Sequence, residues 1–375
     1  MENNQKNFNL FVFLSTFSRN LIEIFIPVIL YKFGYSLNEV IFYYFLVNLI
    51  SLLLSYPCVY FSKKFNNKLL CLIGIVFFVT TQFLLSNIFY SNLYIFILSF
   101  SFALYRRCYW LSRRYYNLNI IKKKDISLNY AIISIVNQIA VIVSSYIGSL
   151  FLDFLTLDVL TIISTVLFTI SLIPLNNINV SKNNENSKLS LISTIKKIPF
   201  SNLYLFGSYE LINVVKFLFP LYLFIYVKSN YQVVGVINLL TNLATIVFSY
   251  FYGKKINNSR NYLNLSIIFL VVTFILKVNF TSYILILIAF LEGIALKMCE
   301  LSISKEFYSF SKNFDYFNYN LMYEFMQNSF RTIVVLILFL FGSNIEIMIY
   351  IVLIFIAIGV LLKFKQIEGG SSGTN

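Results

Sequence analysis

Tyr60-Phe61-Ser62-Lys63-Lys64-Phe65-Asn66-Asn67 returns 191 residues later as Phe251-Tyr252-Gly253-Lys254-Lys255-Ile256-Asn257-Asn258. Both copies close a long apolar run, and both place a basic pair just before a pair of asparagines. Other matches keep the same order at nearly the same offset. Asn9-Leu10, Phe13, Ser15 and Pro27 answer to Asn202-Leu203, Phe206, Ser208 and Pro220 at 193. Ala103-Leu104, Ser112 and Tyr116 answer to Ala295-Leu296, Ser304 and Tyr308 at 192, and Asn129-Tyr130 with Gln138 to Asn318-Tyr319 with Gln327 at 189. Collinear matches along a whole chain signal an internal duplication. Two equivalent halves are expected.

The duplicated units are made for lipid. Hydrophobic residues make up 59% of the chain and charged residues 12%, with a mean hydropathy of +0.78, well outside the range of soluble domains. A helix needs about 20 apolar residues to cross the hydrocarbon core. Twelve such stretches are read, at 8–32, 39–61, 69–87, 92–114, 127–152, 157–175, 201–227, 233–252, 262–278, 282–303, 317–342 and 345–363. They are apolar on every face rather than alternating, which predicts helices and excludes an outer-membrane barrel. The expected fold is therefore all-α and membrane-embedded, with twelve helices in two six-helix bundles related by a parallel pseudo-twofold repeat. The bundles are placed at 1–175 and 201–366, joined by a cytoplasmic linker at 176–200 and followed by a flexible Gly/Ser tail at 367–375 that resembles an appended linker. Within the linker, 190–200 reads either as a short surface helix or as the approach to span seven. No cleavable signal pattern is read at the start.

Lysine and arginine set the orientation. The N-terminus and the even-numbered connections carry 20 of the 29 basic residues, while the odd connections carry Lys32, Lys228 and Lys277. By the positive-inside rule both termini face the cytoplasm of a cell membrane. The net charge of +14 follows from this topology and calls for no nucleic-acid partner; the expected partners are membrane lipid and a small-molecule or peptide substrate, with the chain working as a monomer. Cys58, Cys71, Cys108 and Cys299 lack ligand spacing and histidine is absent, so neither a metal site nor a cofactor is expected.

A charge near mid-bilayer costs at least a few kcal/mol, so its position carries information. Arg19 and Glu23 lie in span one, Arg106 and Arg107 in span four, Glu210 and Lys216 in span seven, and Glu292, Lys297 and Glu300 in span ten. In span eleven Glu324, Gln327, Asn328 and Arg331 share one face at i, i+3, i+4 and i+7. Span five gathers Ser134, Asn137, Gln138 and Ser145, and span four stacks Arg106, Trp110 and Arg113. Some of these charges can simply pair along one helix, Arg19 with Glu23 and Lys297 with Glu300. That does not account for their recurrence in every third span.

This pattern resembles the Major Facilitator Superfamily, whose two bundles are parallel repeats. The resemblance implies that spans one, four, seven and ten line a central cavity and that three, six, nine and twelve lie outermost. The loop after span two also resembles the family signature Gly-x-x-x-Asp-Arg-x-Gly-Arg-Lys, with Val59 at the first Gly, Lys63 at the Asp, Lys64 at the Arg, Asn66 at the second Gly, and Asn67 and Lys68 at the final pair. In the family that Asp helps latch the cytoplasmic gate. Here a latch needs another partner.

The expected function is secondary active transport by alternating access, with proton-coupled export of a small molecule or short peptide. Arg19, Glu23, Arg106, Arg107, Trp110, Asn137, Gln138, Lys216, Lys297, Gln327, Asn328 and Arg331 are the candidate substrate contacts. Glu210, Glu292, Glu300 and Glu324 are the candidate proton carriers, because burial disfavours a charged carboxylate and a nearby cation favours it. Replacing Glu210 or Glu324 with Gln is expected to abolish proton coupling while leaving folding intact. Lys63, Lys64, Asn66 and Lys68, with Lys254, Lys255 and Asn257, are the candidate gate loops. Nutrient uptake on the same frame, an immunity or sensor protein, or a membrane-embedded glycan or lipid transferase are the alternatives. The absence of a large outer loop and of histidine counts against an enzyme.

Overall fold

The computed structural model describes residues 2–120, 126–178, 188–227, 230–252, 260–279, 284–311, 314–342 and 344–371, which form helices joined by short turns. In chain order these are α1 (Glu2–Asn20), α2 (Ile26–Lys32), α3 (Leu37–Leu53), α4 (Ser55–Lys64), α5 (Asn67–Ser86), α6 (Asn92–Ile120), α7 (Ile126–Phe154), α8 (Leu157–Ile170), α9 (Leu172–Asn176), α10 (Leu191–Lys196), α11 (Phe200–Glu210), α12 (Ile212–Tyr222), α13 (Tyr231–Tyr252), α14 (Arg260–Asn279), α15 (Ile284–Ser311), α16 (Tyr316–Phe341) and α17 (Ile345–Ser371).

The starts are fixed by side chains that accept from otherwise unpaired backbone N–H groups. Ser36 and Glu39 form a reciprocal capping box on α3, Asn66 accepts from Lys68 N at 2.9 Å ahead of α5, and Asp315 accepts from Asn318 N at 3.2 Å ahead of α16. Prolines set the breaks, since a proline ring collides with the carbonyl four residues earlier. Pro57 follows the 44° bend between α3 and α4, Pro27 follows the short 3-10 turn at Glu23–Phe25, and Pro174 follows the step from α8 to α9. Pro220 lies inside α12, which runs into a π-helical turn at Leu223–Val227. Both of the paired prolines thus mark local irregularity, as expected for kinks.

Seven helices or continuous helix pairs among the described residues are long and apolar enough to cross a membrane, and the bent α3–α4 pair makes an eighth. The protein is a multi-pass membrane protein. Helices α6 and α15 are just as long, at 29 and 28 residues, but interrupt their apolar sequence with Arg106, Arg107, Arg113 and Arg114 or with Glu292, Lys297 and Glu300. Large apolar side chains such as Val76, Phe83, Ile162, Leu287 and Leu340 point outward, as a lipid-facing surface requires.

The packing repeats itself. In the first half α1 lies against α7 and α8, α5 against α6 and α8, and α3 against α6; in the second, α11 lies against α16 and α17, α14 against α15 and α17, and α13 against α15. The halves meet along two seams, α3 with α16 and α7 with α13. Gly235 of α13 permits the second seam, because a Cβ there would run into the Ser149 side chain of α7. Loop contacts identify the two ends of the bundle. Lys68 reaches Asn176 O at 2.8 Å and Asn318 reaches Lys188 O at 3.2 Å at the end holding the chain termini. Tyr35 reaches Phe89 O at 2.8 Å and Asn279 reaches Tyr350 at 2.8 Å at the distal end.

Candidate substrate cavity and gate

Where α6 meets α16, on the terminal side of the bundle, Glu324 accepts from both Arg107 and Arg114, the latter at 2.5 Å. Arg114 also reaches Asn320 Oδ1 at 3.4 Å. Arg107 and Arg114 are seven residues apart and so lie on one face of α6. This ion-paired triad ties one half to the other. Beneath it Cys58, Val59, Leu70, Cys108 and Leu111 of the first half pack with Phe317 and Leu321 of the second. Lys63 lies 5.8 Å from the Phe317 ring, so the first candidate gate loop touches the other half through a cation and an aromatic ring. Lys64 lies over Tyr60 and Phe65 of its own segment, Asn66 caps α5 and Lys68 holds α9. Lys254, Lys255 and Asn257 lie outside the described residues.

Deeper in, Glu210 at the end of α11 is surrounded by donors. Arg331 pairs with it, Gln327 donates at 2.7 Å, Asn213 at 2.5 Å and Tyr323 at 3.3 Å. Three of these four come from the polar face of α16, so that face points at α11. Asn328 turns its amide to the Glu324 carbonyl at 2.5 Å, and its Oδ1 is buried without a partner.

The first half holds a second cluster. Arg19 pairs with Glu23 at 3.2 Å, and the Trp110 ring lies between Arg19 at 4.7 Å and Arg113 at 4.9 Å. Arg113 has no ion pair among the described residues; it donates to Thr16 at 3.1 Å, Tyr109 at 3.2 Å and Asn137 at 2.8 Å. Gln138 Oε1 is buried and unpartnered. Arg106 has no ion pair among the described residues and lies 5.8 Å from the Phe102 ring.

In the second half Lys297 reaches Glu300 at 3.0 Å and crosses to Ser134 of α7 at 2.8 Å. Glu292 is committed to Lys277, whose ammonium also sits 3.6 Å from the Phe219 ring. Lys277 was expected in a loop, yet it is 3% exposed near the end of α14. Lys216 is exposed on α12 and has no partner among the described residues. It adjoins Phe217, which stacks on Tyr44 of α3 at 3.8 Å and 7°.

The local pairs were readable in the sequence, while Arg114, Asn213 and Tyr323 were not singled out. Arg114 falls at the end of the apolar run read as span four, whereas α6 continues to Ile120. The heptad spacing from Arg107 was the available signal.

A family description for the Major Facilitator Superfamily matches residues 8–304. The chain belongs to that superfamily. Among solved structures it resembles a bacterial homologue of the iron transporter ferroportin in an outward-facing state, with a TM-score of 0.69 and 12% identity over 96% of this chain and 98% of the other. It resembles a point mutant of the nucleoside transporter NupG equally well, with a TM-score of 0.69 and 14% identity over the same shares. No curated protein sequence matches. At these identities the two structures speak for the fold alone. As a superfamily member the chain is a membrane transport protein, and the paired seams and repeated packing described above are the frame on which its charged residues are mounted.

Proposed function

We propose that this superfamily member is a secondary active transporter that exports a small molecule or short peptide across the cell membrane, coupled to protons, by rocking its halves about a midplane site. In this reading twelve spans cross the membrane, both termini are cytoplasmic, and the terminal end of the bundle is the cytoplasmic gate. The observation that carries it is the Arg107–Glu324–Arg114 triad, which joins the halves on the terminal side of the bundle, where an opening to the cytoplasm must part them. It supplies the acid that the loop motif lacks at Lys63. Glu210 is the coupling carboxylate: protonation would release Arg331, and a released arginine is free to hold an anionic group of the cargo.

The test compares small molecules and peptides inside and outside cells expressing wild type, Glu210→Gln or Arg106→Ala, with and without a protonophore. A compound expelled only by wild type and only with the gradient intact is the expected result. Accumulation rather than expulsion would overturn export, and movement unaffected by the protonophore would overturn proton coupling.

A further inference from the structure

Each oxygen of Glu210 takes two donors. Arg331 and Asn213 donate to Oε2, the latter at 2.5 Å, while Gln327 and Tyr323 donate to Oε1 at 2.7 and 3.3 Å. An ionised carboxylate only accepts, so four donors suit it. A proton on Glu210 turns one oxygen into a donor, and a buried donor needs an acceptor. Arg331 has none to offer, and the Gln327 and Asn213 amides must each turn through half a circle to present an oxygen. The Tyr323 hydroxyl accepts after rotation of a single O–H bond. Its contact is the longest of the four and has room to shorten. Among the described residues no other charged or titratable side chain reaches Glu210 by a hydrogen bond or ion pair: α16 supplies Arg331 and Tyr323 beside the neutral Gln327, α12 the neutral Asn213, and α17 none.

The opposite face of the same side chain belongs to the gate. The Arg114 guanidinium of α6 lies over the Tyr323 ring, 5.0 Å from its centre, while Glu324, the next residue of α16, accepts from that guanidinium at 2.5 Å. Two adjacent residues of the second half thus grip one cation of the first, by a carboxylate and by a ring. Phe206 of α11 packs edge-on against the ring at 6.0 Å. One aromatic side chain therefore runs from the Glu210 carboxylate to the triad that joins the halves. A phenol that donates to an anion carries more electron density in its ring than one that accepts from an acid, so the attraction for Arg114 falls when Glu210 gains a proton.

We propose that Tyr323 is the positioning residue that ties the protonation of Glu210 to the terminal gate, accepting a hydrogen bond from the protonated carboxyl and loosening its hold on Arg114. The inference rests on the reading of Glu210 as the coupling carboxylate and adds the route by which its proton is felt between the halves. The proton stays on Glu210. Tyr323 keeps its own hydrogen and turns it away, so no charge moves onto the ring.

The test follows the distance between spin labels at Lys64 and Phe200 in lipid nanodiscs from mildly alkaline to acid pH. It compares wild type, Glu210→Gln, Tyr323→Phe, Tyr323→Leu and the double variant Glu210→Gln with Tyr323→Phe. Glu324 also titrates, so the response belonging to Glu210 is the part that Glu210→Gln removes. Tyr323→Phe keeps the ring over Arg114 and should stay close to the wild-type distance at alkaline pH, yet lose that same part. The loss amounts to about a two- to tenfold change in the ratio of open to closed, the worth of one hydrogen bond. The double variant should lose no more than either single one. Tyr323→Leu, which also removes the ring, should open the terminal end at every pH. A folding defect would move the alkaline distance as well, so the Phe variant separates a lost signal from lost packing. If Glu210→Gln flattens the response while Tyr323→Phe keeps it, or if the two losses add, the role of Tyr323 is overturned and the coupling carboxylate stands. A wild-type response in Glu210→Gln overturns the coupling reading and this inference with it.

Discussion

Two carboxylates on the α11–α16 and α6–α16 contacts are held so differently that their replacement should have different outcomes. Glu324 is 4% exposed and shared by two arginines. Glu324→Gln leaves Arg107, 9% exposed, buried beside a neutral amide; removing one partner of such a buried pair costs about 3–5 kcal/mol. The expected result is a lower thermal midpoint in detergent, largely restored when Arg107→Met is added, because apolar groups of similar volume replace a buried pair without leaving a bare charge. Failure of the second substitution to restore stability would show that the triad is not what holds that contact. Glu210 instead accepts from Arg331, Gln327, Asn213 and Tyr323. A glutamine keeps one oxygen for these donors but leaves Arg331, 10% exposed, without its counter-charge, so Glu210→Gln should also lower the thermal midpoint, and the protein that reaches the membrane should transport with a flat pH profile. A profile matching wild type would remove Glu210 from the coupling step.

At the scale of elements, the seams carry the consequence of helix geometry. Gly235 brings α13 against Ser149 of α7, and a large side chain there must push the two helices apart. Overpacking of this kind costs about 1–3 kcal/mol. Gly235→Leu should therefore lower the thermal midpoint, and an unchanged midpoint would mean that the seam yields freely. The same elements show what the sequence could and could not disclose. The Arg19–Glu23 and Lys297–Glu300 pairs were legible because both partners lie within one turn of one helix. Arg107 with Glu324, Arg331 with Glu210 and Lys277 with Glu292 were not, because each pair is made by packing two different helices together. The repeat was legible in its matched motifs, and the recurring helix contacts follow it. The bend at Leu54 had its signal in Pro57, which only the geometry of the α3–α4 junction brought out.

Across the whole molecule the two ends close by different physics. At the terminal end the halves are joined by the Glu324 triad over an apolar cluster. Toward the distal end they are joined by rings: Phe42 with Phe339 at 5.2 Å, Tyr44 with Phe217 at 3.8 Å, and Phe25 with Tyr231 at 5.8 Å. Aromatic pairs contribute about 0.5–1.5 kcal/mol beyond the area they bury, and a change of about 1.4 kcal/mol alters a conformational ratio tenfold. A protein whose halves rock between two closures must weigh these contacts against each other, so loosening one end should favour opening there and leave the other end shut. Phe339→Ala is expected to raise the population open at the distal end, and Glu324→Gln the population open at the terminal end. The double variant should lie between them, since each change offsets part of the other's bias. Labels at Asn92 and Phe341 report the distal end, labels at Lys64 and Phe200 the terminal end, and the four native cysteines are buried and compete little for the reagent. Opposite shifts from the single variants would establish the two closures as the poles of one equilibrium. Shifts in the same direction, or at both ends at once, would mean that the halves separate as a whole and would remove the rocking motion from the account of this transporter.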